Sequence, residues 1–263
     1  MTAYFALQYD IPLISLDNQH RMRYIDIDLP NDMVADAILI ENLIRLMIPR
    51  PDVSLITTFY FGALKNKRSF LFPPILRQEV IDLTPAYNDY ILVYTNSGYK
   101  ALIDLLKTYE RENFIVYGEE VFGSFGNVIS KKPSQKGFLA DLAGCKAVIG
   151  TAGFTLMTES FYLKKPYLAF PLVKQYEQEY NAFLLKKVGY GTASKKMHKE
   201  IVSAFLYDIP DYQKKLSNYE QENNAKIKNK LDDLLADGCK KLNEYHDKRR
   251  LIKFHNLNWR NQV

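Results

Sequence analysis

The sequence predicts an α/β protein built on a parallel sheet with helices on both faces. Three observations predict it. Between residues 89 and 189, short apolar runs rich in β-branched and aromatic residues alternate with helical-period runs, the pattern of successive βα units. Small-residue turns stand where a strand hands over to a helix, most clearly at Thr151-Ala152-Gly153. The composition, 47% hydrophobic and 25% charged over 263 residues, is that of an ordinary globular chain large enough for one big domain or two modest ones.

Taken in order, "IPLISLD" (11–17) is a buried strand that ends at the polar cluster Asp17-Asn18-Gln19-His20. "NDMVADAILIENLIRLMI" (31–48) has helical spacing, with Asn31 or Asp32 as its N-cap. "DVSLITTFYF" (52–61) is β-rich, and the two prolines of "LFPPIL" (71–76) mark an interdomain linker. Strands follow at 89–95, 113–118, 146–150 and 166–172, with helices at 99–110, 137–145, 154–164 and 177–189, the last stopped by Gly189. Further helices are expected at about 196–207 and from 226, the latter highly charged with a thin apolar stripe of Ile227, Leu231, Leu234 and Leu235. The crossovers should be right-handed, and ligands should bind beyond the carboxyl ends of the strands. The domains read from this pattern are 1–72, 73–236 and a basic tail, 237–263.

Composition also excludes functions. No apolar run approaches the roughly 20 residues that span a bilayer, and "MTAYFALQYDIPLI" lacks the basic and small-residue features of a signal peptide. Two isolated cysteines, Cys145 and Cys239, point to a reducing compartment rather than a disulfide scaffold or a cysteine-rich zinc site. A cytoplasmic protein is expected. Of the net charge of +5, residues 237–263 contribute +4. A basic tail carrying Phe254 and Trp259 suits the inner face of an anionic membrane; the alternative is a solvated last helix packed on the body. Nucleic acid is not an expected partner, because the positive charge is not interleaved with aromatics and no recognised motif is present.

The stretch "IGTAGFTLMTESFYLKKPYLAFPL" (149–172) carries the chemistry. A helix start offers unbonded amides and a partial positive charge, and small residues let an anion approach them. "TNSG" (95–98) repeats the device after an earlier strand. Glu159, one and a half turns into its helix, is placed to accept hydrogen bonds from a ribose diol, or is an ordinary charged helix position. Glu177 and Gln178 stand at another strand-to-helix junction, suited to sugar hydroxyls or to a solvated first turn.

In this order and spacing, residues 130–191 resemble the donor-binding domain of GT-B glycosyltransferases. The closest resemblance is to the family 28-like C-terminal domain shared by enzymes of lipid-linked peptidoglycan precursor and plant galactolipid synthesis. "ISLDNQH" (14–20) also resembles a segment late in the N-terminal domain of a bacterial and archaeal subgroup, and the likeness runs from about residue 5 to 195. The resemblance implies a GT-B fold with a complete C-terminal domain and a partial N-terminal one. It implies inverting transfer from a UDP-sugar to an envelope lipid or glycan, with no cofactor and no bound metal. Gly153, Phe154 and Thr155 would meet the diphosphate, Glu159 the ribose, Glu177 and Gln178 the donor sugar, and Phe138 the uracil through its backbone. Ser97 and Gly98 would line the other side of the phosphates. The glycine-rich loop that usually carries the catalytic base is absent from the sequence, leaving His20 as the candidate base. The competing expectation is a non-catalytic or split donor-binding subunit whose acceptor half comes from a partner chain. A sugar-nucleotide epimerase shares the same architecture.

Overall fold

The computed structural model describes residues 2–94, 99–118, 121–221 and 223–246. They form two units: residues 2–73 together with 225–246, and the described residues between 74 and 224.

The first unit contains α1 (Thr2–Gln8), β1 (Ile14–Asp17), α2 (Arg21–Tyr24), α3 (Asn31–Met47), β2 (Val53–Thr57) and β3 (Ser69–Phe72). The three strands are parallel in the order β1-β2-β3. β2 lies in the middle and is buried along its whole length, as the unbroken apolar character of a central parallel strand requires. Its Val53 and Leu55 form a core with Ile227, Leu234 and Leu242 of the C-terminal helix. Asn31 and Asp32 do not cap α3. Pro30 takes the N-cap position without a side-chain bond, and Asp32 sits instead in the first turn, where a carboxylate complements the helix dipole.

The second unit contains α4 (Gln78–Ile81), β4 (Ile91–Tyr94), α5 (Tyr99–Lys107), β5 (Phe114–Tyr117), β6 (Gly123–Phe125), β7 (Val128–Ser130), α6 (Gln135–Gly144), β8 (Ala147–Gly150), α7 (Phe154–Tyr162), β9 (Tyr167–Ala169), α8 (Tyr176–Val188), β10 (Gly191–Ala193) and α9 (Lys199–Ser217). Its sheet has the order β10-β9-β8-β4-β5-β7-β6, and only β6 runs antiparallel, to β7. One face carries Ile91, Val93, Phe114, Val116, Ile149 and Leu168 against α5 and α9. The alternating residues Leu92, Val148 and Tyr167, which the pleat turns to the other face, are equally buried.

The strands and helices expected from periodicity are present between 89 and 189, with shifted ends. Ser134 caps α6 by accepting from the Gly137 amide at 3.1 Å, so that helix starts at Gln135. Gly189 ends α8 at φ 72°, the left-handed conformation that glycine adopts without a Cβ clash. Two helices differ from expectation. α9 runs through Pro210 to Ser217, because buried Val202, Phe205, Ile209 and Leu216 hold it to the sheet beyond the one amide that proline lacks. The final helix, α10 (Ala225–Tyr245), belongs to the first unit rather than to a 73–236 domain. It also breaks at Ala236–Cys239, where Asp237, Gly238 and Cys239 all have positive φ.

Candidate active site

The second sheet reverses its winding direction between β4 and β8, its two innermost neighbours. Open α/β sheets bind ligands beyond the carboxyl ends of the strands at such a switch point. Tyr94 ends β4 opposite Gly150, which ends β8, and Gly150 in turn lies opposite Ala169, which ends β9. The Thr151-Ala152-Gly153 turn therefore leaves from the switch point. The segment that leads to Glu177 and Gln178 leaves from the strand beside it.

The turn is held from behind. The Tyr167 hydroxyl donates to the Thr151 carbonyl at 2.7 Å, and Asn181 Nδ2 donates to the Ala152 carbonyl at 2.8 Å. Both donors are completely buried. Burial pushes the Tyr167 phenol far above its ordinary pKa, so it stays a donor. Gly150 is needed beneath the turn: a Cβ there would stand 2.6 Å from the Tyr167 hydroxyl and 2.9 Å from the Tyr94 carbonyl. With both turn carbonyls tied inward, the chain enters α7 through Gly153 at φ −71° and ψ 132°, with no side-chain cap. Gly153 and Phe154 are half-buried and Thr155 is exposed, so the start of α7 is left partly open among the described residues of this unit. Among the described residues, a Cβ on Gly153 would meet only the Thr151 hydroxyl, at 3.7 Å.

Glu159 is buried, 3% exposed, and its carboxylate is engaged. Arg77 donates to it as a fork, Nε to Oε1 at 2.8 Å and Nη2 to Oε2 at 2.9 Å. The sequence analysis did not include Arg77; 82 residues separate it from Glu159, and no local pattern links them. The fork places a guanidinium about 7.5 Å along α7 from its amide end, five residues at 1.5 Å each. Gln178 is likewise occupied: its Oε1 accepts from the Leu172 amide at 3.0 Å and its Nε2 donates to Gln175 at 2.9 Å. It thus shapes the segment after β9. Glu177 is half-buried in the first turn of α8. The backbone of Phe138 departs from expectation, because its amide donates to the Ser134 carbonyl at 2.8 Å inside α6. Its ring is what stands at the carboxyl edge, packed edge-on against Tyr94 at 5.5 Å and Tyr117 at 5.2 Å. Beside it Asp141 accepts from the Tyr117 hydroxyl at 2.6 Å and from Lys131 at 2.7 Å. Ser97 and Gly98 lie outside the described residues.

His20 belongs to the first unit, just past the carboxyl end of β1. Its ring is completely buried and stacks on Tyr24 with centroids 5.2 Å apart. Nδ1 donates to Asp17 Oδ2 at 2.7 Å, and the His20 amide donates to Oδ1 at 2.8 Å. Nε2 is buried with no partner among the described residues. Burial pushes the Asp17 carboxyl up, but the hydrogen bond and charge of His20 and the Ser15 hydroxyl outweigh it and hold the carboxyl below its usual range. Among the described residues no cluster of three or more His, Cys, Asp or Glu side chains could hold a metal ion. No described helix is long and apolar enough to cross a membrane.

Parallel sheets flanked by helices, with a small-residue turn opening a helix at the switch point, are the architecture of a GT-B fold, and the solved structures agree in fold. The fold is similar to that of the glycotransferase of kitacinnamycin (TM-score 0.57, 14% identity, 82% of this chain and 67% of that one). It is similar to the glycosyltransferase SnogD from Streptomyces nogalater (0.52, 16%, 87% and 69%). It is also similar to spinosyn rhamnosyltransferase SpnG complexed with thymidine diphosphate (0.52, 12%, 88% and 70%). The chain belongs to glycosyl transferase family 1, whose model matches residues 1–210; it is a transferase enzyme. It spans about two thirds of the length of these neighbours. No curated protein matches the sequence.

Proposed function

We propose that the enzyme transfers a sugar from a UDP-sugar bound at the carboxyl edge of the second sheet to an envelope lipid or glycan, with inversion and without a metal. The observation that carries this reading is the tethered turn. Tyr167 and Asn181 hold two carbonyls inward, so the amide end of α7, flanked by Gly153, Phe154 and the Thr155 hydroxyl, is left to neutralise a diphosphate. Charge neutralised by amides needs no cation, which is the basis for metal independence. Ser97 and Gly98 would close the far side of the phosphates, and the Phe138 ring would bound the base. Glu159 would meet the ribose through the lone pairs that Arg77 leaves, while Glu177 would face the sugar, with Gln178 holding the segment after β9 beneath it. In the first unit, Asp17 fixes the His20 ring with Nε2 unpartnered, an arrangement suited to a base that activates an acceptor hydroxyl in a single displacement. The neighbour solved with thymidine diphosphate makes a nucleoside diphosphate the natural probe.

Calorimetric titration with UDP, TDP and GDP tests the donor site, and the expected order is UDP tightest. Thr155→Val should weaken UDP by roughly three- to tenfold, one lost hydrogen bond. Glu159→Gln should weaken it by a similar factor. UDP binding that is absent, or indifferent to both substitutions, removes the donor site from α7. Activity that survives chelation supports metal independence, and activity retained in His20→Asn removes that residue as base.

A second reading, a donor-binding subunit completed by a partner chain, is favoured by α1 and α3. Tyr4, Phe5, Ile38, Leu39, Leu46 and Met47 are all exposed there, Leu46 at 61%. A helix apolar around most of its circumference belongs under cover. UDP binding without turnover, with turnover restored by a co-purifying chain, is its signature.

A further inference from the structure

The first unit holds a cationic pocket that the glycosyl-transfer reading does not use. It is a cavity of about 450 Å³ lined by Arg23, Tyr24, Arg50, Ser54, Lys67 and Arg68, with no carboxylate among its lining residues. Arg50 lies just before β2 and Ser54 near its start, while Lys67 and Arg68 lead directly into β3. The pocket is therefore at the amino edge of this sheet, the edge opposite the one at which α/β sheets bind their substrates.

Four cations converge here, and none has a carboxylate within ion-pair distance among the described residues. Asp52, the nearest acid in sequence, is turned away: its Oδ2 accepts from the Leu13 amide at 2.9 Å, and its Oδ1 lies 3.2 Å from His246. Nη1 of Arg23 and Nη1 of Arg68 are both buried with no hydrogen-bond partner among the described residues, a costly state for a charged donor unless an anion completes it. The surrounding frame is fixed. Asn66 Oδ1 accepts from the Arg68 amide at 2.8 Å and from the Ser69 hydroxyl at 3.1 Å, the Arg68 carbonyl accepts from the Ser54 amide at 3.0 Å, and Arg23 lies over the Tyr24 ring at 4.8 Å. Arg50 holds φ 49° directly before Pro51, a conformation unfavourable for any side chain in that position and one found where a site over-determines the backbone.

We propose that this pocket is a phosphate-binding site of the first unit, taking the phosphate or diphosphate of a small phosphorylated molecule or of an anionic lipid head group. Guanidinium forks match phosphate oxygens, and in two half-buried ones here Nη1 is already out of water with its donors unused. The proposal does not depend on the donor site at α7.

Inorganic pyrophosphate and vesicles of phosphatidylcholine doped with phosphatidic acid are the probes, each titrated into the full chain and into three variants. Arg23→Gln/Arg68→Gln should weaken pyrophosphate by about tenfold or more, the loss of charge-assisted hydrogen bonds. Lys67→Gln, at an exposed position that folding does not need, should weaken it by a smaller factor. Lys107→Gln, an equal charge change in the other unit, should leave it unchanged. Vesicle binding that the same variants abolish and pyrophosphate displaces assigns the pocket to lipid head groups; pyrophosphate binding with vesicles ignored assigns it to a soluble phosphate ester. The proposal is overturned if the wild type binds neither probe, if the pocket variants bind as the wild type does, or if Lys107→Gln weakens binding as much as they do.

Discussion

The two units differ in how completely each hides its own apolar surface. Thirteen of the twenty large hydrophobic side chains exposed among the described residues lie in the first unit, although it is the smaller. In the second unit, β4, β5, β8 and β9 are buried nearly end to end, with helices on both faces. The first has only three strands, with α3 presenting Ile38, Leu39, Leu43, Leu46 and Met47 outward. Each such side chain, about half exposed, forgoes roughly half of the ~1.5–3 kcal/mol that full burial contributes. The difference teaches that the second unit is closed in itself, whereas the first leaves an apolar face open among the described residues.

The sharpest way to break this comparison is through the packing of the second unit. A Cβ on Gly191 would fall 1.9 Å from the Tyr167 carbonyl oxygen, so Gly191→Ala should cost about 3 kcal/mol or more by forcing β10 from β9. An unchanged urea midpoint would contradict close packing there. Next in size, Asn181→Leu should cost about 1–3 kcal/mol by leaving the Ala152 carbonyl buried and unsatisfied, and it should also weaken UDP. Lost stability with UDP affinity intact would separate the turn from the ligand.

Titration distinguishes the units further, with effects of about 1 kcal/mol. Asp17 has a depressed pKa in the folded chain. Its contribution is therefore present above the usual carboxylate value near pH 4 and is lost as pH falls through the lower folded value. The stability difference between the wild type and Asp17→Asn should shrink on acidification. In the second unit, Lys165 is buried with Nζ donating to the Ala86 carbonyl and lying 4.0 Å from the Tyr87 ring centroid. Burial lowers its pKa from 10.5 to about 8. Below pH 8 both states carry the proton and the burial penalty stands in full; above it the folded chain sheds the proton first and the penalty fades. The stability of the wild type relative to Lys165→Met should therefore rise between about pH 8 and 10.5. Flat differences in either case would remove the corresponding pair. The smallest effect should come from α3: Ile38→Asp with Leu46→Asp should change unfolding by roughly 0.5 kcal/mol or less, while abolishing any association measured by light scattering. A large loss of stability would mean that this face is internal.

How much of this was legible in the sequence depended on element length. Runs such as Ile91–Tyr94 and Ala147–Gly150 announce themselves as apolar strands between helical periods, and so does the turn at 151–153. β10 and the β6–β7 hairpin, three residues per strand, are too short for any period to register. α1 was missed, as its seven residues carry no capping signal. The break in α10 did have a signal, the Asp237-Gly238 pair, which favours a turn over a helix interior. Within the candidate site, the turn that opens α7, Gly153 and its neighbours, could be located by type and position. The residues that orient them could not: Tyr167, Asn181 and Arg77 act across 16 to 82 positions, and Gln178 spends its amide on the chain itself.

Because Ile227, Leu234 and Leu242 supply the far side of the core against Val53 and Leu55, residues 14–72 leave the ribosome before the second unit yet cannot finish folding until after it. The whole of residues 74–224 is synthesised in between and can mature on its own schedule. Meanwhile β2 keeps a bare apolar flank for as long as translation takes to reach α10. A nascent chain halted after Asn224 should therefore show a protease-resistant second unit and a first unit that is cut freely or held by chaperones.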